Sequence, residues 1–264
     1  MIALLLLAAA ATTPIADLPG GDQARFEACV ALTTSDAEAA IREADGWARR
    51  SDGVPARQCL GLALAAAERW GAAALAFEQA ATGAANLGDG RAGTLWSQAG
   101  NAALAGDDPG RARSYLDRAI ATPSLSETMR GEAWLDRARA DVALGNAGQA
   151  RTDLDNGLKL AAADPFAWLL SATLARREHD LPRASKDIEE AARLAPDDAA
   201  VALEAGNIAA VSGVPAAATV AWQRAIELAP NAPEGKAAAK ALASGEAPAL
   251  DYRLEPAAGA GANR

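Results

Sequence analysis

His179 is the single histidine of the 264-residue chain, so any Ser/His/Asp or Cys/His relay would have to run through it. It stands with Asp180 at a break between two helical segments, where an imidazole is solvated rather than aligned with a nucleophile. The phosphate-cradling pattern G-x-x-x-x-G-K-[ST] and the zinc pattern H-E-x-x-H are both missing. Asp153 with Asp155, and Glu189 with Glu190, are carboxylate neighbours of the kind that can share acid and base roles. They sit among other polar residues of second helices and read as an outer, solvated face. Cys29, Cys59 and His179 together fall short of the four ligands of a closed zinc site. These residues predict no catalytic group, no metal and no cofactor, hence a protein that is not an enzyme.

The two cysteines stand 30 residues apart. An even count in an exported protein suits one disulfide, and both residues fall on the first helices of adjacent repeat units, which pack side by side. A bond closing a loop of this size contributes about 3 to 4 kcal/mol. Two separate buried thiols are the alternative, because free cysteine behaves as a small hydrophobe.

What must position all of these groups is a repeated helical hairpin. Trp96, Trp134 and Trp168 keep one register with Ala112, Ala150, Ala184 and Ala218, and the later steps are 34 residues long. The same residue types returning at a fixed spacing signal stacked copies of one unit. In residues 199–232 an apolar helix containing Gly206-Asn207 breaks at Ser212-Gly213, and a second helix carries Ala218, Trp222 and Ala225 up to Pro230, which stops it. Residues 165–198 repeat the grammar with the turn His179-Asp180, residues 131–164 with Gly145-Asn146, residues 93–130 with Gly106-Asp107-Asp108, and residues 54–92 with Ala73, Phe77 and Ala80 on the second helix. Between the units 93–130 and 131–164 the step lengthens by four residues through 122–126, a longer loop.

Residues 22–53 form a worn sixth copy, with helices over 23–32 and 37–50. Ser35-Asp36-Ala37-Glu38 has the form of a capping box. Asp36, Asp108, Asn146 and Asp180 fall at one point of four units, just ahead of the second helix, where a polar side chain caps the helix. Residues 233–244, with Lys236 and Lys240 on an Ala-rich segment, suit a polar lid over the last hairpin. Residues 245–264 have no periodicity and predict a disordered tail.

Composition supports an all-α reading: the chain is 51% hydrophobic but only 4% aromatic, and Ala supplies much of that apolar share. Ala buries little area, so the core must come from many close helix contacts. A net charge of −9, with cations that are mostly Arg and never clustered, argues against nucleic acid as the partner. Residues 2–11, IALLLLAAAA, resemble the apolar core of a secretory signal peptide, with Ala9 and Ala11 as an A-x-A site, so residues 1–16 are read as a signal peptide. An apolar first helix of the stack is the alternative. The run is too short for a bilayer span and nothing later approaches the roughly 18 to 20 apolar residues a transmembrane helix needs.

A first-helix Trp, a Leu-Gly or Gly-Asn pair, a small residue in the second helix, a bulky residue four positions on, another small residue and then Pro together resemble the tetratricopeptide repeat family. The resemblance rests on Trp96, Trp134, Trp168, Gly61, Gly100, Gly206, Ala73, Ala112, Ala150, Ala184, Ala218, Phe77, Trp222, Ala80, Ala119, Ala191, Ala225, Pro196 and Pro230. It implies a right-handed α-solenoid of stacked helix-turn-helix hairpins, with first helices lining a concave groove that takes an extended peptide or a partner's helix.

On that expectation Asn101, Arg139, Thr173 and Asn207 form one row on successive first helices, and the Asn carboxamides suit a peptide backbone. Arg176 and Arg177, one turn on, suit a ligand carboxylate. Ordinary repeat grammar and a solvated helix end are the competing accounts. The expected function is a non-catalytic scaffold for a protein or peptide partner, exported and, in a Gram-negative bacterium, periplasmic. A structural subunit using the convex face or end cap, and a cytosolic regulator with an uncleaved N-terminus, are the alternatives.

Overall fold

The computed structural model describes residues 20–51 and 53–247. The signal segment 1–16 and nearly all of the tail 245–264 lie outside the described residues. Among those described there are thirteen helices and no strand. They are α1 (Gly20–Ser35), α2 (Ala37–Arg50), α3 (Val54–Ala66), α4 (Trp70–Leu87), α5 (Ala92–Ala105), α6 (Pro109–Ala121), α7 (Glu127–Ala143), α8 (Ala147–Leu160), α9 (Pro165–Arg177), α10 (Leu181–Leu194), α11 (Ala199–Val211), α12 (Pro215–Leu228) and α13 (Pro233–Ser244). The chain is all-α, a succession of helical hairpins. It divides into two compact units, one ending at Leu144 and one starting at Gly145.

In the first unit the core runs through α1 to α7 and holds Phe26, Trp47, Phe77, Leu95, Trp96, Leu116 and a large complement of alanines. Close crossing is what makes an alanine core sufficient. A Cβ placed on Gly61 would stand 2.6 Å from Phe77, and one on Gly100 would stand 2.6 Å from Leu116. In each hairpin the missing side chain of the first helix is filled by the bulky residue 16 positions later. Cys29 of α1 and Cys59 of α3 are joined by a disulfide, with Cα atoms 6.3 Å apart.

The long connection before α7 is ordered. Arg130 donates to the carbonyl of Ile120, and to those of Thr122 and Leu125 at 3.0 and 3.1 Å, while Ser124 Oγ donates to Gly90 O at 2.9 Å. Leu125 is buried, and a Cβ on Gly93 would lie 3.1 Å from it. Helix α7 therefore starts at Glu127, capped by Ser126 Oγ, within the stretch that periodicity alone assigns to the connection and the preceding copy.

The second unit contains α8 to α13. Ala172, Ala175, Ala184, Ile188 and Val201 form one cluster, and Trp222 packs with Ala218, Ala225, Ala238 and Ala241 in another. Helix α13 supplies Ala238 and Ala241 to that cluster and turns Lys236 and Lys240 outward.

Every turn between a first and a second helix from α3 to α12 has one residue at positive φ: Glu68, Asp107, Gly145, His179 and Gly213. At four of them the backbone bonds agree. The residue at positive φ donates to the carbonyl three back and the next residue donates five back, as in His179 N to Arg176 O and Asp180 N to Ala175 O. This is the Schellman ending of a helix, adopted here with Glu, Asp and His at a position that glycine favours.

Two capping expectations are corrected. Ser35 is not the cap of α2: its hydroxyl faces back to the carbonyls of Ala31 and Leu32, and Asp36 accepts from Ala39 N at 2.9 Å. Asp108 and Asp180 cap as expected, but the Asn146 side chain makes no cap hydrogen bond. Helix α1 continues to Ser35, so Asp36 is the residue left between the two helices.

Candidate functional site

The first helices place polar residues where neighbouring first helices meet. In the first unit, α3 presents Gln58, α5 presents Gln98 and Asn101, and α7 presents Asp136 and Arg139. Gln98 and Asn101, like Asp136 and Arg139, are three residues apart and so share a helix face. Gln58 Nε2 donates to Gln98 Oε1 at 3.4 Å, Asn101 hydrogen-bonds the Asp136 carboxylate, and Arg139 Nη1 donates to Asp136 Oδ1 at 3.0 Å. Five side chains thus make one strip across three helices. Burial pushes the Asp136 carboxyl above its usual range, against the opposing pull of Arg139 and Asn101.

Several polar atoms of this strip have no partner. Gln58 Oε1, Gln98 Nε2, Asn101 Oδ1 and Arg139 Nε are buried and make no hydrogen bond. Gln58 and Gln98 are only 5% and 2% exposed. Native interiors satisfy nearly all such atoms; Arg91 Nη1 of the same unit is in the same state, but four such atoms fall together on the strip.

In the second unit the corresponding residues are committed to the fold. Arg176 grips Glu204 with two bonds, Nε to Oε1 at 2.6 Å and Nη2 to Oε2 at 3.1 Å. Asn207 Nδ2 donates to Glu204 Oε2 at 3.1 Å, and Trp222 Nε1 donates to Asn207 Oδ1 at 3.0 Å. The carboxylate expected of a ligand at Arg176 is the protein's own Glu204. The Asn207 carboxamide, expected to face a peptide, instead locks α11 to α12. The Thr173 hydroxyl donates to Leu169 O of its own helix at 2.8 Å, and Arg177 is partly buried. The row of four therefore does not act alike: Asn101 and Arg139 keep unpartnered atoms, whereas Thr173 and Asn207 are engaged internally.

His179 is exposed at a turn with φ 59°. Asp153 is fully buried beside Gln149 rather than on an outer face, while Glu189 is exposed and Glu190 pairs with Arg193. A Ser171–Asp187 hydrogen bond of 2.5 Å, with Arg151 donating to the same hydroxyl at 2.7 Å, is closed off from solvent. No group of three metal-ligating side chains occurs among the described residues. What the first-helix strip offers chemically is hydrogen bonding, from neutral carboxamides flanked by one ion pair.

Gln58, Gln98, Asp136 and Glu204 were not singled out from sequence, yet a signal for three of them exists. Cys59, Gln98, Asp136 and Glu204 each stand two residues before the small residue of their first helix, Gly61, Gly100, Ala138 and Gly206. That register joins neighbouring first helices: Cys29 to Cys59, Gln58 to Gln98, Asn101 to Asp136, Arg176 to Glu204.

No protein-family profile matches the chain, and no curated protein matches it in sequence. Solved structures do match. PilW, described as a widely conserved type IV pilus biogenesis factor, aligns over 83% of this chain and 98% of its own with TM-score 0.68 and 16% identity. PilF of Pseudomonas aeruginosa aligns over 82% of this chain and 97% of its own with TM-score 0.63 and 16% identity. YrrB, a tetratricopeptide-repeat protein with an unusual peptide-binding site, aligns over 75% of this chain and 97% of its own with TM-score 0.54 and 17% identity. The likeness is one of fold: the chain has the tetratricopeptide-repeat fold, as its hairpin grammar implied.

Proposed function

We propose that this chain is a non-catalytic scaffold that docks a polypeptide partner on the first-helix face of its first unit, at the cell envelope. The observation that carries the reading is the strip Gln58–Gln98–Asn101–Asp136–Arg139, in which buried polar atoms lack partners within the chain. Elsewhere on the first helices the polar side chains at Arg176, Glu204 and Asn207 satisfy one another. A face that leaves hydrogen-bonding capacity unmet is suited to a partner that supplies it. The matching fold of YrrB, whose peptide-binding site is part of its description, supports a peptide or protein as the ligand class.

The envelope location is supported by the signal-like run 2–11, by a disulfide, which persists in oxidising compartments, and by the fold shared with PilW and PilF. No helix among the described residues is long and apolar enough to cross a membrane.

A second reading, attachment through the last hairpin, is favoured by one observation. An open hollow of about 600 Å³ is lined by Pro196, Val201, Ala205, Val220, Ala221 and Arg224 among others, and Val220 is 66% exposed. The two readings separate in cells. Partner recovery after crosslinking should drop with Asn101→Ala/Arg139→Ala and persist with Val220→Ser, and the opposite pattern selects the last hairpin. Mass spectrometry of the mature N-terminus tests location, since an intact Met1 contradicts export.

A further inference from the structure

In the second unit the hollow of about 600 Å³ opens between α10 and α12 over a floor of α11, with Ala192, Val201, Ala205, Ala216, Val220 and Arg224 among its lining. Val220 stands 66% exposed there, and covering it removes apolar surface from water. The chain beyond α13 carries a segment that suits this wall. Leu250, Tyr252 and Leu254 are the only large apolar side chains after position 245, and they alternate with Asp251, Arg253 and Glu255. Such alternation puts all three on one side of an extended segment. Pro248 and Pro256 bracket the run, and a proline biases the residue before it toward extended backbone. We infer that residues 250–255 seat in this hollow, with Leu250, Tyr252 and Leu254 against the apolar wall and Glu255 at Arg224.

Helix α13 sets the path. Its start is joined to α12 by residues 229–232, with Gly235 against Ala229 O, while Ala238 and Ala241 pack with Ala218 and Trp222. The helix therefore runs back along α12 and ends near that helix's N-terminus, where Gly245, at φ 69°, turns the chain out. A helix is about 10 to 12 Å across, and the steps from Gly245 to Leu250 cover up to about 17 Å. Leu250 can thus cross α12 to Ala216, at the near end of the hollow. From Ala216 to Arg224 the wall of α12 is about 12 Å long, and Leu250 to Leu254 in extended form spans about 13 Å. A run parallel to α12 matches the hollow in length and delivers Glu255 to the Arg224 guanidinium. Arg224 is held by two surface carboxylates, Asp197 and Glu227, and surface pairs of this kind are weak enough to exchange. This occupant leaves the docking face of the first unit free. It competes with the alternative in which the same hollow attaches another protein.

The test places a photoreactive residue at position 252 of the full chain and maps the adducts by mass spectrometry after irradiation. Crosslinks within one chain to lining residues of α11 and α12 are expected, in a yield that holds through about a hundredfold dilution because the segment is tethered. Val220→Glu and, separately, Leu250→Ser/Leu254→Ser should each lower that yield at least about fivefold by removing apolar contact. Both should also speed trypsin cleavage after Arg253 by a similar factor, since cleavage follows the undocked population. The tail variant changes no residue of α1 to α13, so it keeps the test decisive should Val220→Glu alter the fold. Crosslinks joining two chains assign the hollow to a second copy and overturn the inference. Adducts without preference for the lining, or yields and cleavage rates that the tail variant leaves unchanged, overturn it too. Each of these results leaves the first-unit docking proposal standing.

Discussion

Gly206 of α11 lies directly under the indole of Trp222 in α12: a Cβ at position 206 would stand 2.9 Å from Trp222 Cγ and nearer still to Cδ1 and Nε1. The same relation joins Gly100 to Leu116 and Gly61 to Phe77. These three contacts set how closely each hairpin closes. Gly206→Ala and Gly100→Ala should each destabilise by about 1 to 3 kcal/mol through overpacking. Gly83→Ala, in mid-helix with only an ordinary contact to Val54, should stabilise by about 0.5 to 1 kcal/mol. Urea unfolding of the three variants checks the contrast, and equal effects would remove the close-crossing account.

Asn207 should behave as a core residue. Its replacement by Ala orphans Trp222 Nε1 and loosens the Arg176–Glu204 pair, costing about 1 to 3 kcal/mol for the unsatisfied buried groups. Asn101→Ala removes one hydrogen bond to the buried Asp136 carboxylate, which keeps Arg139 as a partner, together with an unpartnered Oδ1, so it should cost less than the Asn207 replacement, about 1 kcal/mol. Thermal or urea melts of the two variants decide this.

Backbone strain at the hairpin turns gives a stabilising prediction. His179 and Glu68 hold φ values of 59° and 57°, a region that costs an L-residue roughly 1 kcal/mol or more. His179→Gly and Glu68→Gly should each raise stability by about 0.5 to 1 kcal/mol, net of the entropy that glycine adds to the unfolded chain. Loss of stability in both would show that the side chains contribute more than the strain.

Helix α1 depends on its covalent tie. Phe26, the Cys29–Cys59 bond, the Arg25–Glu43 ion pair and Arg25 stacked 4.9 Å from the Trp47 ring centre are its principal anchors. Cys29→Ala/Cys59→Ala should cost about 3 to 4 kcal/mol, mostly by freeing the unfolded chain. Hydrogen exchange of the variant should show α1 opening before α3 to α6, and uniform opening would contradict this.

The succession of helical hairpins was legible because Gly, Ala and Pro act locally: they fix a crossing or a stop whatever lies far away. Helix α13, with Pro233 first and Gly245 just beyond its end, shows this directly. Side-chain commitments were not legible, because they depend on partners distant in sequence. Asn207 resembles Asn101 in register, yet only Asn207 has a tryptophan at position 222 and a glutamate at 204 to occupy it. Ser35 and Asp36 both suit a cap, and the choice between them turned on how far α1 continued. Asp153 reads as a surface carboxylate by composition and is buried, with Gln149 donating to it.

Asp89 gives the pH dependence. The Arg91 side chain, aided by its backbone N–H, holds the Asp89 carboxyl below its ordinary value of 3.8. A depressed folded-state value means stabilisation that is complete above the unfolded value and disappears as pH falls through the folded one. Asp89→Asn should lower stability at neutral pH by up to about 1 kcal/mol, given the partial exposure of the pair. Urea midpoints of variant and wild type should converge as pH drops below 3.8, and a gap that persisted there would refute the ion-pair origin.

Site-specific photo-crosslinking in native cells tests the docking face most directly. A photoreactive residue placed at position 101 on α5 is compared with one at exposed Gln79 on α4, a second helix. The account predicts a protein adduct from position 101 that competes away with excess unlabelled chain, and none from position 79. Adducts from position 79 alone would contradict it.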